Sequence, residues 1–411
     1  MQRSITLHEQ ENEMPKVLLT GGGTAGHVTP NIALLPFLKE LGFEIEYMGS
    51  YDGIEKKLVE QTGIPYTGID SGKLRRYLSA QNLKDPAHIL HGIREARAYM
   101  KKNRPDVVFS KGGFVAVPVV LAAHRFKIPV VIHESDLTPG LANRICIPRA
   151  DKICYSFPET EQYLKGKGIH TGLPIRTELL NGDPVKGRDV CGFADDKPVL
   201  MVIGGSLGSL NVNKAVREAL PELLKTFRIA HICGAGKMDE SLKGTEGYVQ
   251  FEYVNEGLND LMAMSDVFIS RAGANVICEI QALRKPNVLI PLGTDASRGD
   301  QILNARSFER RGFSSVLMEE DLTTETLLAA VMEVFEHADK YKAAMDEAET
   351  ANAAEKVAGI IASMAGVEAA GSDRASDADI LREIREAVGS HGLSDEYMSE
   401  KEDDTIGGSL G

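Results

Sequence analysis

The sequence lacks the features that mark membrane-spanning and exported proteins. No run of about eighteen apolar residues occurs among its 411 residues, so no segment is expected to cross a bilayer as a helix. The first fourteen residues, MQRSITLHEQENEM, contain no apolar core of a secretion signal. The five cysteines show neither a CxxC pair nor zinc-ligand spacing, and we expect reduced, mostly structural thiols. These absences favour a cytoplasmic protein, and we assign no metal ligand and no cofactor.

Positive charge is scarce overall but unevenly distributed. The net charge of −13 argues against general nucleic-acid binding. From Gly366 to the C-terminus there are twelve acidic and four basic residues, a net of −8. That segment holds few core residues and is expected to be disordered, apart from one amphipathic stretch, Ile380–Val388. Between Ser71 and Arg104, in contrast, nine basic residues accompany two acidic ones, a local net of +7.

Two glycine-rich motifs lie about 180 residues apart. The first reads KVLLTGGGTAGHVTP, from Lys16 to Pro30, and the second VLMVIGGSLGSLNVN, from Val199 to Asn213. Each has the order of apolar strand, glycine turn and helix start. Glycine lets the backbone approach a phosphate closely, and the N–H groups at the start of the following helix attract the anion. One such loop also occurs in proteins where it serves packing alone, but a pair predicts two nucleotide-fold domains facing a cleft.

Strand and helix patterns alternate through the body of the chain, which predicts an α/β fold with two doubly wound parallel sheets covered by helices. With 43% hydrophobic residues, a chain of this length can bury two cores. A long final helical pattern runs from His337 to Met364. The predicted organisation is a flexible N-terminus (1–14), a first domain (15–172), a second domain (173–365) whose final helix packs back on the first, and an acidic tail (366–411).

The first half offers several polar groups where predicted strands end. Gly21, Gly23 and Gly26 satisfy a dinucleotide-binding pattern, but the second strand closes without the carboxylate that would hold a ribose, which argues against NAD. His27, after the last glycine, is suited to accept a proton from a hydroxyl, or else it ties the loop to backbone carbonyls. The segment IHESDLTPGLAN, from Ile132 to Asn143, adds further polar groups that bind a ligand or cap a helix.

The second half carries the most informative segment, ISRAGANVICEIQALRKPNVLIPLGTDASRGDQILNARSF, from Ile269 to Phe308. Gly273-Ala274 is predicted to open a helix whose N–H groups face a diphosphate. Glu279, on that helix, can accept both hydroxyls of a ribose, and Asp300 with Gln301 can read sugar hydroxyls. Each residue alone is also compatible with a helix cap or a core position. Together their order predicts a nucleotide-sugar site.

These motifs resemble the MurG family of GT-B glycosyltransferases, glycosyltransferase family 28. The resemblance covers about Lys16 to Met364 and rests on GGGTAGH, KGGF, HESDLTPGLAN, TGLPIR, GGSLG, FEYVN, SRAGA, CE and SRGDQILNA. It implies a UDP-GlcNAc-dependent hexosyltransferase of peptidoglycan synthesis, which moves N-acetylglucosamine to the muramoyl 4-hydroxyl of lipid I (undecaprenyl-diphospho-muramoyl-pentapeptide) and yields lipid II. The sequence departs from the family pattern at Asp136, Leu207, Asn275, Val276 and Asp300.

The resemblance also implies roles for individual residues. Thr24, Gly26 and His27 would lie near the acceptor diphosphate and the reacting hydroxyl, and Asp136 and Asn143 near the GlcNAc. The implied UDP-GlcNAc contacts in the second half are Arg176 and Ser206 on the phosphates, Val254 and Arg271 beside uracil, Ala274 on phosphate, Glu279 on ribose, and Asp300 with Gln301 on the sugar.

The implied mechanism is a single inverting displacement that needs a base and positive groups at the departing UDP. His27 and Glu134 are the two candidate bases, and Arg176 is the candidate for the leaving diphosphate. Two alternatives share the architecture: a UDP-sugar transferase with a different lipid or soluble acceptor, and a non-hydrolysing UDP-GlcNAc 2-epimerase. A third, a non-catalytic binding subunit, is disfavoured because both half-sites occur on one chain.

The acceptor of this family is anchored in a membrane. The basic segment between Ser71 and Arg104 is therefore a candidate for membrane binding. Lys73, Arg75, Arg76 and Lys84 alternate there with apolar residues such as Leu74 and Tyr77. Basic residues beside apolar ones bind anionic bilayers, although a solvated helix face has the same composition. We therefore expect a peripheral protein on the cytoplasmic face of the cell membrane, with other cell-wall synthesis proteins as possible partners.

Overall fold

The computed structural model describes residues 14–71, 85–205, 208–254, 256–294, 299–348 and 352–367. Several sequence-based expectations therefore lie outside the described residues. They concern the flexible N-terminus up to residue 13, the basic residues of segment 72–84, Ser206 and Leu207 of the second glycine motif, and the acidic tail from residue 368.

Within the described residues, the first half forms a sheet of seven parallel strands in the order β3-β2-β1-β4-β5-β6-β7. Its strands are β1 Lys16–Thr20, β2 Glu44–Ser50, β3 Tyr66–Ile69, β4 Val107–Ser110, β5 Val130–Glu134, β6 Lys152–Tyr155 and β7 Gly168–His170. Its helices are α1 Thr29–Glu40, α2 Ile54–Glu60, α3 Asp85–Asn103, α4 Ala116–Arg125 and α5 Leu141–Cys146.

The described part of the second half forms a sheet of six parallel strands in the order β10-β9-β8-β11-β12-β13. Its strands are β8 Val199–Ile203, β9 Arg228–Ile232, β10 Tyr248–Phe251, β11 Val267–Ser270, β12 Asn287–Leu289 and β13 Ser315–Val316. Its helices are α6 Thr177–Leu180, α7 Pro184–Cys191, α8 Leu210–Thr226, α9 Leu258–Met264, α10 Ala274–Ala282, α11 Asp300–Arg310, α12 Thr324–Glu336 and α13 Ala338–Asp346, followed by α14 Ala353–Met364.

Both sheets are buried on both faces, which explains why their central strands read as unbroken apolar runs. Every residue of β4 and β11 is buried. Separate clusters of buried side chains cover the two faces of each sheet. The predicted pair of doubly wound parallel sheets is confirmed. All five cysteines are buried and unpaired, and no helix in the described ranges is long and apolar enough to cross a bilayer.

The prediction of one long final helix from His337 to Met364 is wrong. The segment forms α13 and α14, and Asn352, just before α14, adopts a left-handed φ of 71° that ends helical continuity. The two helices serve different cores. Tyr341 of α13 packs in the core of the second half, whereas Val357 of α14 packs in the core of the first half beside α1. The break is where the chain returns from one half to the other.

The halves also share buried side chains directly. Leu137, Phe157 and Leu173 follow strands of the first sheet but belong to the core of the second half. The rings of Phe157 and Phe308 lie 5.7 Å apart, centroid to centroid. The loops at the carboxyl ends of the two sheets meet beside this contact, and they carry most of the residues that the sequence singles out.

Candidate functional site

A buried carboxylate holds the first glycine loop, residues 21–27, in place through hydrogen bonds. Glu55, at the start of α2, is fully buried and accepts hydrogen bonds from Gly23 N (3.1 Å) and Ser50 N (3.1 Å). Gly22 N donates to Gly112 O at 3.3 Å. A Cβ at Gly22 would collide with this carboxylate, so a larger residue there would displace Glu55 from the loop. Two amides of the loop are thus used within the protein, and Glu55 fixes the loop instead of closing a dinucleotide site.

His27 is held at the open end of this loop as a neutral imidazole. Its Nδ1 lies 3.1 Å from Gly22 O and 3.1 Å from Thr24 Oγ1. Because a carbonyl only accepts, Nδ1 carries the proton and Nε2 keeps its lone pair. Burial lowers the pKa of His27 to about 4, and the positive charge of Lys111 acts in the same direction. The ring is therefore unprotonated at neutral pH, and the lone pair of Nε2 is available.

Glu134 is enclosed by its own loop. It is 4% exposed, and its oxygens accept from Asp136 N (3.0 Å), Gly140 N (3.1 Å) and Asn143 Nδ2 (2.8 Å). Burial raises the pKa of Glu134 to about 7, and the nearby Asp136 adds to the rise. Three of the roughly four acceptor positions of the carboxylate are thus used within the loop. This geometry fits a carboxyl that shapes the loop between β5 and α5.

Asn143 is buried beside Glu134, and among the described residues only the nitrogen of its side-chain amide forms hydrogen bonds. Its Nδ2 also donates to His133 O at 3.1 Å, whereas its Oδ1 has no hydrogen-bond partner in the described structure. A Cβ at Gly112 would lie 3.2 Å from that oxygen. An unpaired acceptor in a buried position is costly unless a ligand supplies a donor.

Lys111, at the end of β4, is a fully buried lysine beneath the same loops. Its Nζ donates to Ser135 Oγ. Burial lowers the pKa of Lys111 to about 8, although the carboxylates of Glu134 and Asp136 oppose that change. A buried ammonium within electrostatic range of two carboxylates makes this part of the site polar.

In the second half, Glu279 presents a carboxylate with no hydrogen-bond partner among the described side chains. It is half-buried on α10, six positions after Gly273, the residue that caps the helix. Burial raises the pKa of Glu279 to about 7, and the charge of Arg176 opposes that rise. Arg176 precedes α6 and is half-buried. A carboxylate within electrostatic range of an arginine, on a helix that begins after a glycine, is suited to a ligand with hydroxyl and phosphate groups.

Arg271 is occupied by structural contacts. It is 6% exposed, its Nη1 donates to Ile290 O (3.1 Å) and Pro291 O (3.2 Å), and its Nη2 donates to Ser209 Oγ (2.7 Å) and Glu319 Oε1 (2.6 Å). It therefore ties β11, β12 and the second glycine loop together. Val254 is half-buried against the neighbouring core cluster. Ala274 is buried at the first position of α10.

The start of α11 contacts the first half. Thr138 Oγ1 donates to Asp300 Oδ1 at 3.1 Å, and Gln301 Oε1 accepts from Leu292 N at 3.0 Å. Asn304, one turn later, is fully buried and bonds to both Leu137 N and Asp136 Oδ1. Asp136 and Asp300, which the resemblance assigns to the sugar, therefore each accept a hydrogen bond from the opposite half.

The structure brings Glu134, Asp136 and Asn143 together in the loop after β5 and places His27 on the loop after β1. In the second half, Glu279 lies within electrostatic range of Arg176. The patterns in the sequence do not single out Glu55, Lys111 or Asn304. Their only signal is position, since Lys111 follows a buried strand within KGGF and Asn304 lies in the SRGDQILNA motif.

Comparison with known proteins agrees with this architecture. Residues 17–155 match the glycosyltransferase family 28 N-terminal domain, and residues 199–361 match the glycosyltransferase family 28 C-terminal domain. A relative from Lachnospira eligens is 60% identical over 85% of this chain and 99% of its own length. One from Lachnoclostridium phytofermentans is 59% identical over 85% and 98%. Both are named UDP-N-acetylglucosamine--N-acetylmuramyl-(pentapeptide) pyrophosphoryl-undecaprenol N-acetylglucosamine transferase.

Among solved structures, the crystal structure of Acinetobacter baumannii MurG superposes with a TM-score of 0.67 at 26% identity and covers 85% of this chain and 99% of that one. The two domain matches occur in the order of the two sheets, and the relatives match over nearly their whole length. The chain therefore belongs to glycosyltransferase family 28.

Proposed function

We propose that this protein transfers N-acetylglucosamine from UDP-GlcNAc to the 4-hydroxyl of the muramoyl residue of lipid I, giving lipid II. The observation that carries the proposal is the 60% identity to a transferase of that name over 99% of the relative's length. The Glu279 carboxylate, which has no hydrogen-bond partner among the described residues and lies within electrostatic range of Arg176, supports a nucleotide-sugar donor in the second half. The polar loops of the first half then receive the acceptor.

On the donor side, Glu279 accepts the ribose hydroxyls, and Ala274 at the start of α10 offers its N–H to the diphosphate. Arg176 and Ser206 hold the phosphates, Val254 and Arg271 border the uracil, and Asp300 with Gln301 bind the sugar. Because Nη1 and Nη2 of Arg271 are both directed at protein atoms, its contribution is to hold the pocket wall.

On the acceptor side, His27 is the general base. Its Nε2 lone pair is available, whereas the Glu134 oxygens already accept three hydrogen bonds. Thr24 and Gly26 lie beside His27 and contact the acceptor. The unpaired Oδ1 of Asn143 accepts a sugar hydroxyl, and Asp136 contacts the same sugar. Glu134 is a positioning residue that holds Asp136 and Asn143 in place.

The reaction is a single displacement. The muramoyl oxygen attacks the anomeric carbon as its proton passes to His27 Nε2, the bond from that carbon to the UDP oxygen breaks, and the configuration inverts. Arg176 and the α10 N-terminus stabilise the charge that develops on the departing diphosphate.

UDP release tests this function. Purified protein with UDP-GlcNAc should release UDP rapidly only when a lipid I analogue is added. Conversion of UDP-GlcNAc to its 2-epimer without acceptor would identify an epimerase, and equal release with an unrelated soluble acceptor would point to the other transferase class. Either outcome would overturn the assignment.

The protein acts at the cytoplasmic face of the cell membrane through its basic segment. Residues 72–84, which carry the most basic part of that segment, lie outside the described structure, so the support is the charge pattern. Replacing Lys73, Arg75 and Arg76 with Glu should release the protein from anionic vesicles in sedimentation while sparing transfer to a short-chain acceptor. Unchanged vesicle binding would contradict this role.

A further inference from the structure

The contacts between the halves form two groups of different strength. One group lines α11, where Asn304 bonds to Leu137 N at 3.1 Å and to Asp136 Oδ1 at 3.0 Å. Further along the helix, Ser307 and Arg310 both donate to Glu159, each at 2.8 Å. Asn304 and Ser307 are fully buried, and Phe308 packs on Phe157 nearby. Four hydrogen bonds, one of them fully buried, lie beside a shared apolar core and make this group a fixed pivot.

The second group is a single contact on the side of the first glycine loop. Asn275, the second residue of α10, donates from Nδ2 to Gly26 O at 3.0 Å. Within the described residues, this is the one hydrogen bond between loop 21–27 and the second half. Asn275 is half-buried, so its bond is accessible to water and is more easily broken than the bonds of the pivot.

The position of Asn275 connects the two parts of the proposed reaction. It follows Ala274, whose N–H begins the helix that carries Glu279. Its partner, Gly26 O, belongs to the peptide that links Gly26 to His27. A Cβ at Gly26 would lie 3.2 Å from Asn275 Nδ2, so a larger residue would push the amide away. One side-chain amide therefore links the donor helix to the base.

We propose that Asn275 is a positioning residue that latches the first glycine loop onto the start of α10 and so holds His27 toward the donor. This inference rests on the proposed function for its consequence in catalysis. The latch itself does not depend on that function, because it is a hydrogen bond between the first glycine loop and the start of α10. Asn304 lies at the pivot, and Asn275 lies on the side of the first glycine loop. Opening the cleft on that side breaks few hydrogen bonds, and closing it restores the position of His27 relative to the donor.

Hydrogen–deuterium exchange on the full chain tests the latch directly. The variants are Asn275→Leu, which removes the donor at similar volume, and the matched control Asn181→Leu, an exposed asparagine whose amide bonds only to Thr177 O nearby. Without ligand, backbone amides of residues 22–28 should exchange roughly two- to tenfold faster in Asn275→Leu, as expected for one neutral hydrogen bond. The control should match the wild type.

With UDP added, the wild type should gain protection both at α10 and in residues 22–28, whereas Asn275→Leu should gain it at α10 alone. In turnover, the variant should lose roughly two- to tenfold in kcat while its UDP affinity stays unchanged.

Unchanged exchange of residues 22–28 in unliganded Asn275→Leu would overturn the latch. So would a loss of UDP affinity equal to the loss of kcat, because Asn275 would then act within the donor site. Absence of UDP-dependent protection at α10 in the wild type would count against the proposed function, while the unliganded comparison would still decide the latch.

Discussion

At the scale of single residues, His27 and Glu134 differ in which atoms remain available. Replacing His27 with Gln should lower kcat by roughly a hundredfold or more, because a general base contributes about 10²–10⁴ in rate. Glu134→Gln should mainly raise KM for the acceptor, because the loop that carries Asp136 and Asn143 loses an acceptor oxygen. Steady-state kinetics on both variants checks this. A Glu134 variant with the larger loss of kcat and normal KM would reverse the assignment.

Arg176 is expected to act in the transition state more than in substrate binding. Arg176→Ala should reduce kcat by roughly a hundredfold and weaken UDP-GlcNAc binding much less, because the leaving diphosphate gains charge only as its bond breaks. Arg125→Ala, at an exposed position of α4, is the matched control. Full activity in the Arg176 variant, or an equal loss of affinity and rate, would contradict this role.

Glu279 predicts a specific pH dependence of donor binding. Because burial raises the pKa of Glu279 to about 7, the carboxylate form that accepts two hydroxyls prevails only above that pH. UDP affinity should therefore rise with pH through 7, by at most about tenfold per pH unit below it. Glu279→Gln should bind UDP and UDP-GlcNAc more weakly, by about 1.5–3 kcal/mol at pH 8, with little pH dependence. Calorimetry at pH 6, 7 and 8 measures both effects, and a wild-type affinity that does not change with pH would place the carboxyl outside the ribose site.

At the scale of elements, the close packing of the loops after β1 and β4 depends on glycine. Gly113 has a φ of 84°, and a Cβ there would overlap Gly22 O. Gly113→Ala should therefore lower the melting temperature and displace the first glycine loop, because it adds a backbone collision to about 1–2 kcal/mol of left-handed strain. Gly166→Ala is the matched control, since φ is 73° and the surrounding space is open. If the melting temperatures of the two variants fell equally, the loops after β1 and β4 could move apart without destabilising the protein, and this prediction would be wrong.

The elements also show how far the sequence can predict the structure. Central strands such as β4 and β11 are predicted because burial on both faces requires apolar runs. The edge strands β3 and β7 are short, only partly buried and without such a run, so their sequences do not identify them. The split between α13 and α14 is also missed, because apolar spacing continues although the two helices pack on different cores.

For the candidate site, motif spacing predicts which loops matter, since the carboxyl ends of parallel strands share one edge of a sheet. It does not predict which polar groups are already satisfied. The contacts of Arg271 with Ser209 and Glu319 join residues far apart in sequence. The three donors on Glu134 lie in its own loop, but their hydrogen bonds depend on how that loop folds and not on residue spacing. The burial of Lys111 and the bridge formed by Asn304 arise only when the sheets and halves assemble.

At the scale of the whole molecule, the proposed function assigns different parts of one reaction to two sheets of the same type. The second half offers a carboxylate and an arginine at a helix start, and the first offers a neutral imidazole and an unpaired amide oxygen. The pivot at α11 and the returning α14 join these halves, so neither sheet alone contains all the proposed groups.

The most direct test of this account is the linkage in the product. UDP-GlcNAc labelled with ¹³C at the anomeric carbon would be incubated with the full chain and a short-chain lipid I analogue, and the product examined by NMR. The account predicts one new glycosidic bond, with β configuration, to the muramoyl 4-oxygen, and UDP formed in equal amount. An α linkage, a different acceptor oxygen, or label recovered only in an epimerised UDP-sugar would contradict it.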